Sequence, residues 1–216
     1  MDLIEAMRHM PGCREYESTP VSDEVLYRVL DNARFAPSGG NRQGWKVVVI
    51  RDEAMREALR DQYRRTWDRY VTEMYGPAET HSEKVRVALD DAARMADQLH
   101  TIPVHLAIWV DMAAIAVTDR DAPRPSVVAG GSIFPFIQNV QLAARNEGLG
   151  TRITTLLSYD EELVRQMLNV PNGYALAAVL LVGWPAFLPT KLRRHPVEKF
   201  AACETFDGLP LHLPSQ

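Results

Sequence analysis

Three short apolar runs constrain this chain most: Lys46–Ile50 (KVVVI), Val104–Val110 (VHLAIWV) and Tyr174–Gly183 (YALAAVLLVG). Each is rich in β-branched or aliphatic residues and too short for a typical helix, so each reads as a buried strand. The longest is about half the ~20 residues that a membrane-spanning helix requires. Long segments at helical spacing separate them. A few buried strands among many helices place the chain in the α+β or α/β class.

The helices carry their own punctuation. Ser22 caps a helix that runs to Phe35, with Asp23 and Glu24 at its positive end and Leu26, Val29, Leu30 and Ala33 as its apolar stripe. Pro37 ends it, because the residue before a proline is pushed out of the α region. Asp52 caps a second helix through Met55, Leu59, Tyr63 and Trp67, and the charged tract 60–98 is mostly helical with a break at Gly76-Pro77. Ser132 is placed to cap a helix carrying Ile133, Phe136, Ile137, Val140 and Ala144, which stops at Glu147-Gly148. Thr151–Leu156 leans towards strand, and Ser158-Tyr159-Asp160-Glu161 fits a capping box opening a short helix before Pro171. From Trp184 onward, Pro185, Pro189, Pro196, Pro210 and Pro214 predict an extended arm.

Composition narrows the class. The chain has 216 residues, 46% hydrophobic and 24% charged, as ordinary globular domains have. Its length suits one domain spanning 1–216, with no repeat and no internal linker. Lys+Arg 24 against Asp+Glu 28 gives a net charge of −4, without the clustered positive field that nucleic-acid binding needs. The start, MDLIEAMRHM, carries Asp2 and Glu5 where a signal peptide has a basic end and an apolar run. Cys13 and Cys203 are too few for a disulfide scaffold. The expectation is a cytoplasmic protein without nucleic-acid or membrane partners.

Several familiar sites are missing. No GxGxxG follows a strand, and GxxxxGK[ST], HExxH and GxSxG are all absent. No metal site and no catalytic side chain is expected. What remains is the loop Pro37-Ser38-Gly39-Gly40-Asn41-Arg42-Gln43, whose glycines let backbone N–H groups approach a ligand and whose amides suit a heterocycle edge; the plain alternative is a structural turn. Lys191-Leu192-Arg193-Arg194 offers guanidinium forks for a phosphate, or is a solvated patch. Gly148-Leu149-Gly150, running into Thr151–Leu156, leaves flexible backbone between helix and strand, or is an ordinary helix end.

Together Arg34–Trp45 (RFAPSGGNRQGW), Gln138–Gly150 (QNVQLAARNEGLG) and Lys191–Phe200 (KLRRHPVEKF) resemble the FMN-dependent nitroreductase family in order and spacing. The resemblance implies an α+β fold with a central, mostly antiparallel sheet flanked by helices. It also implies an intertwined homodimer, with the 184–216 arm wrapping the partner subunit and FMN at the interface. Pro37, Ser38, Gly39 and Asn41 match the family loop that reaches the flavin from the other subunit. Thr155 and Leu156 fall where a backbone N–H meets flavin N5, Arg193 and Arg194 where the phosphate binds, and Arg14 near the N1/O2 edge. Two positions depart from the pattern. Met10 and Gly12 stand where Arg and Ser contact the phosphate, with Arg8 or His9 as substitutes or the arm alone holding it, and Gly44 replaces the proline of Gln-Pro-Trp.

The activity implied is hydride transfer from NAD(P)H through the flavin to an electron-poor small-molecule substrate: a nitroaromatic, quinone or activated alkene. A flavin-storage protein and an oxygen-dependent flavin-degrading enzyme of the same fold are the alternatives. Trp67, Tyr70, Met74 and Tyr75 are candidates for a substrate lid, or pack their helix onto the core.

Overall fold

The computed structural model describes residues 2–189 and 192–212. Lys191 of the basic run, and the arm's last residues with Pro214, lie outside them. In chain order the elements are α1 (Leu3–Arg8), β1 (Glu15–Tyr16), α2 (Asp23–Ala33), β2 (Trp45–Ile50), α3 (Glu53–Tyr75) and α4 (Glu83–Asp97). There follow β3 (Val104–Asp111), α5 (Phe134–Asn146), β4 (Gly150–Thr154), α6 (Glu161–Met167), β5 (Tyr174–Gly183) and β6 (Pro185–Phe187).

Four strands form an antiparallel sheet in the order β2-β3-β5-β4, while β1 and β6 pair separately. The expected α+β architecture is present. β3 and β5 occupy the centre and are almost wholly buried, as continuous apolar runs require. Leu106, Ile108, Leu180 and Val182 meet Leu26 and Val29 of α2 and Ile137 and Val140 of α5 on one face. Ala107, Trp109, Val179 and Leu181 meet Leu59 and Tyr63 of α3 and Val164 of α6 on the other. Each fully buried leucine contributes about 1.5–3 kcal/mol.

Local signals hold where the sequence is strong. The side chains of Ser22 and Asp52 accept from Val25 N at 3.4 Å and Met55 N at 2.8 Å, as capping residues do. Gly148 ends α5 with a positive φ of 87°. The break at Gly76-Pro77 separates α3 from α4. Trp67 is buried in the α3 core cluster, so packing explains it, whereas Met74 and Tyr75 are exposed at the end of α3.

Four local expectations need correction. Ser132 does not cap α5; it closes a 3-10 turn, and its hydroxyl is used by Gly39. The capping box at Ser158–Glu161 does not form, because Ser158 Oγ donates to Thr155 O and the Glu161 carboxylate is taken by Arg165 and the Leu176 N–H. β2 is only half-buried, because it is an edge strand, with Lys46 and Val49 facing solvent. The arm is extended at its start but not unpaired there: Pro185–Phe187 pairs with Glu15–Tyr16 as β6, edge pairing that a proline permits.

Candidate cofactor site

The site begins at the free edge of β4. Gly12 pairs in parallel with Thr151, and the Cys13 N–H donates to Thr151 O at 2.8 Å. This close approach depends on Gly150. A Cβ there would sit 2.7 Å from Cys13 Sγ and 3.1 Å from Pro185 Cβ. β1 then pairs with β6, which brings Arg14 opposite the start of the arm.

Arg14 and Arg194 come together as a result. Both line a cavity of about 550 Å³ with Pro11, Gly12, Phe187 and Leu192, and Glu15 is its acidic member. Two exposed guanidiniums over an apolar floor suit a small anion or phosphate ester. Arg193 does not line this cavity; its carbonyl accepts from Arg194 Nη1 at 2.8 Å. Neither do the two candidate substitutes at the start of the chain. Arg8 is exposed, and the His9 ring is hydrogen-bonded to Glu5 O at 3.0 Å.

Thr155 and Leu156 follow at the C-terminal end of β4, where a 3-10 turn (Leu156–Asp160) begins. The Leu156 N–H donates to Thr154 Oγ1 at 3.3 Å, and Thr155 is exposed. On the same strand Arg152 is half-buried, and its Nη1 is buried without a hydrogen-bond partner. Burial lowers its pKa, and neighbouring Arg14 lowers it further. Sequence reading passed over Arg152, because an arginine in a β-leaning run gives no signal until its surroundings are known.

The loop Pro37–Gln43 is built tightly. Gly40, Asn41 and Gln43 all have positive φ, at 62°, 55° and 49°. Such backbone is costly for residues other than glycine and persists only where hydrogen bonds over-determine it. Gly39 N donates to Ser132 Oγ at 3.0 Å, Gln43 N to Ser38 Oγ at 3.0 Å, and Gln43 Nε2 to Asn41 Oδ1 at 3.1 Å. Pro37, Gly39 and Asn41 remain exposed, and Ser38 is half-buried.

Within one chain these two groups do not meet. The loop leads into β2 at one edge of the sheet, while Arg14, Thr155 and Leu156 belong to the β4 edge. Three inter-strand spacings of ~4.8 Å put about 14 Å between the edges. The antiparallel order nevertheless sets the start of β2 and the end of β4 at the same end of the sheet.

Comparison with known proteins identifies the fold and the family. A 5,6-dimethylbenzimidazole synthase of Rhodospirillum rubrum is 30% identical over 172 residues, 80% of this chain and 76% of that one. An NADH dehydrogenase of Thermus thermophilus is 28% identical over 210 residues, 92% and 94% of the two chains. The structure of oxidized iodotyrosine deiodinase bound to FMN and 3-iodo-L-tyrosine has a TM-score of 0.74 at 22% identity, over 95% of this chain and 100% of that one. It shares the fold. The pattern of the Nitroreductase family matches residues 8–184. The chain belongs to the nitroreductase family.

Proposed function

We propose that this protein is an FMN-dependent oxidoreductase that uses NAD(P)H to reduce electron-poor small molecules, such as nitroaromatics, quinones or activated alkenes. The observation that carries this reading is the pair Arg14 and Arg194 in one cavity beside β4, next to Arg152 with its unpartnered N–H. The donor set fits a flavin mononucleotide, which has a dianionic phosphate and a ring edge that becomes negative on reduction. Bound there, the flavin supplies the hydride transfer, taking electrons from the nicotinamide and giving them to the acceptor.

The chain's own residues bind and orient. Arg194 would hold the phosphate, and Arg14, on the same cavity, would face the ring edge at N1/O2; Arg193, which the resemblance paired with Arg194, does not reach that cavity. The Thr155 N–H, or the Leu156 N–H on leaving Thr154 Oγ1, would face N5. No protein nucleophile and no metal is required. Pro37, Ser38, Gly39 and Asn41 act in the site of a second copy, because their own β4 edge is a sheet-width away. The arm supports a homodimer as well. Phe200, Phe206 and Leu209 are exposed to 74%, 105% and 80%, apolar side chains that a partner surface would cover. The NADH dehydrogenase relative supports a nicotinamide donor.

A second reading has a specific observation behind it. The 30% identical relative is a 5,6-dimethylbenzimidazole synthase, and dimethylbenzimidazole contains the dimethylated ring of a flavin. Oxygen-dependent breakdown of reduced flavin is therefore the rival activity. One titration separates the two. FMN-loaded protein is mixed with NADH or NADPH without oxygen, then given acceptor or air. Bleaching of the visible flavin band, and its full return with a nitroaromatic, supports the reductase. Permanent loss of the band in air supports the rival. A flavin that neither nucleotide bleaches leaves only a storage role.

A further inference from the structure

Arg152 occupies the middle of β4, opposite Leu181 of β5 on one side and flanked by the Gly12–Cys13 segment on the other. The charged and titratable groups acting on its guanidinium are Arg14, Tyr63, Tyr16 and Cys13, with no carboxylate among them. Burial raises the pKa of both phenols and of the Cys13 thiol, so all three are neutral and supply no counter-charge. Arg14 repels. The fold thus holds a partly desolvated cation, one N–H unpaired, beside a second cation. Such an arrangement is unfavourable by itself. A methionine would fill the space between Tyr16, Tyr63 and Leu181 without that penalty, so packing does not explain the charge. An anion would. Thr155 lies three residues further along the same chain, and Arg14 lines the cavity at the other end of the group.

We propose that Arg152 is a second anion-binding residue of the flavin ring site, acting with Arg14 on the edge where negative charge collects when the ring is reduced. This rests on the FMN reading above and names a residue that the family motifs do not. The oxidised ring is neutral and the two-electron reduced ring is anionic at N1/O2, so a fixed, poorly solvated cation favours the reduced form selectively. Arg152 thereby positions the ring and raises its reduction potential.

The test compares the FMN-loaded wild type with Arg152→Met, Arg152→Gln and Arg152→Lys. The readouts are the midpoint potential against reference dyes and the dissociation constants of oxidised and reduced FMN. In the Met and Gln variants, reduced FMN binds about ten- to a hundredfold more weakly relative to oxidised FMN, a drop of about 30 to 60 mV for two electrons. Arg152→Lys, which keeps the charge, restores most of it. Equal potentials in all four proteins overturn the inference and leave the FMN reading standing. A folded wild type that takes up no FMN overturns both. If Arg152→Met does not fold, the Gln and Lys pair decides, since a purely structural role gives no difference in potential between them.

Discussion

The hydroxyl of Ser132 accepts the backbone N–H of Gly39 at 3.0 Å, joining positions 93 residues apart. It fastens the turn before α5 to the loop after α2 and holds Gly39 next to Gly40 and the strained Asn41. An exposed loop with three positive φ values keeps one shape only while such bonds hold.

Removing that bond loosens the loop without touching the core. Ser132→Ala is expected to cost about 1 kcal/mol or less in global stability and to weaken FMN binding about three- to tenfold. Fluorescence titration of apo-protein with FMN measures it. An unchanged dissociation constant would separate the loop from the cofactor.

Arg194 is assigned to the phosphate, which riboflavin lacks. Arg194→Ala is expected to weaken FMN about ten- to a hundredfold, the worth of a charge-assisted hydrogen bond, and to leave riboflavin binding unchanged. Parallel titrations with both flavins check it. Equal losses for the two would move Arg194 away from the phosphate.

Gly150 is the point of closest approach between β4 and the segment leading to Arg14. A Cβ at this position meets Cys13 Sγ at 2.7 Å and Cys13 Cβ at 2.8 Å. Gly150→Ala is expected to destabilise by about 1–3 kcal/mol through overpacking, and to lower flavin affinity because the segment carrying Arg14 is displaced. Urea unfolding gives the first and titration the second. Wild-type values in both would show that the strand edge yields freely.

His105 is fully buried on β3, its Nε2–H donating to Leu99 O at 2.9 Å and its Nδ1 without a partner. Desolvation lowers its pKa from 6.5 to about 4. The unfolded chain therefore takes up a proton near pH 6.5 while the folded one does not until about pH 4. The stability from a neutral His105 is present above pH 6.5 and is lost as pH falls towards 4, by about 3 kcal/mol in all. Urea midpoints between pH 7 and 4.5 should fall faster in wild type than in His105→Gln. Parallel curves would mean that other groups set the acid limb.

The cation at Arg152 predicts a trade between stability and binding. Arg152→Met is expected to leave the melting temperature of the FMN-free protein unchanged or raise it, because a buried unpaired charge is replaced by an apolar side chain. Scanning calorimetry of apo-protein reads this directly. A clearly lower melting temperature would make Arg152 a structural residue.

Much of this protein was legible in its sequence where the deciding interactions span only a few residues. Ser22, Asp52 and Gly148 act within one helical turn, so the starts of α2 and α3 and the end of α5 could be read locally. The runs at Val104 and Tyr174 read as interior strands because they are short, continuous and aliphatic, and helices on both faces of the sheet do bury them. Two of the three motifs, Arg34–Trp45 and Gln138–Gly150, survive as linear text within residues 8–184, the stretch that matches the nitroreductase family; Lys191–Phe200 lies beyond it.

Only the folded chain decided the long-range partners. Ser132 and Glu161 carry good capping chemistry, yet Gly39 and Leu176 claim their side chains from 93 and 15 residues away. Arg14 meets Arg194 solely because β1 pairs with β6. Arg152 becomes conspicuous only once Tyr16, Tyr63 and Cys13 surround it without a negative charge. A cap is chosen by dihedral angles within a turn, and sequence records those. The desolvation and pairing of a charge are set by whatever the rest of the chain brings alongside it, and that exists only in three dimensions.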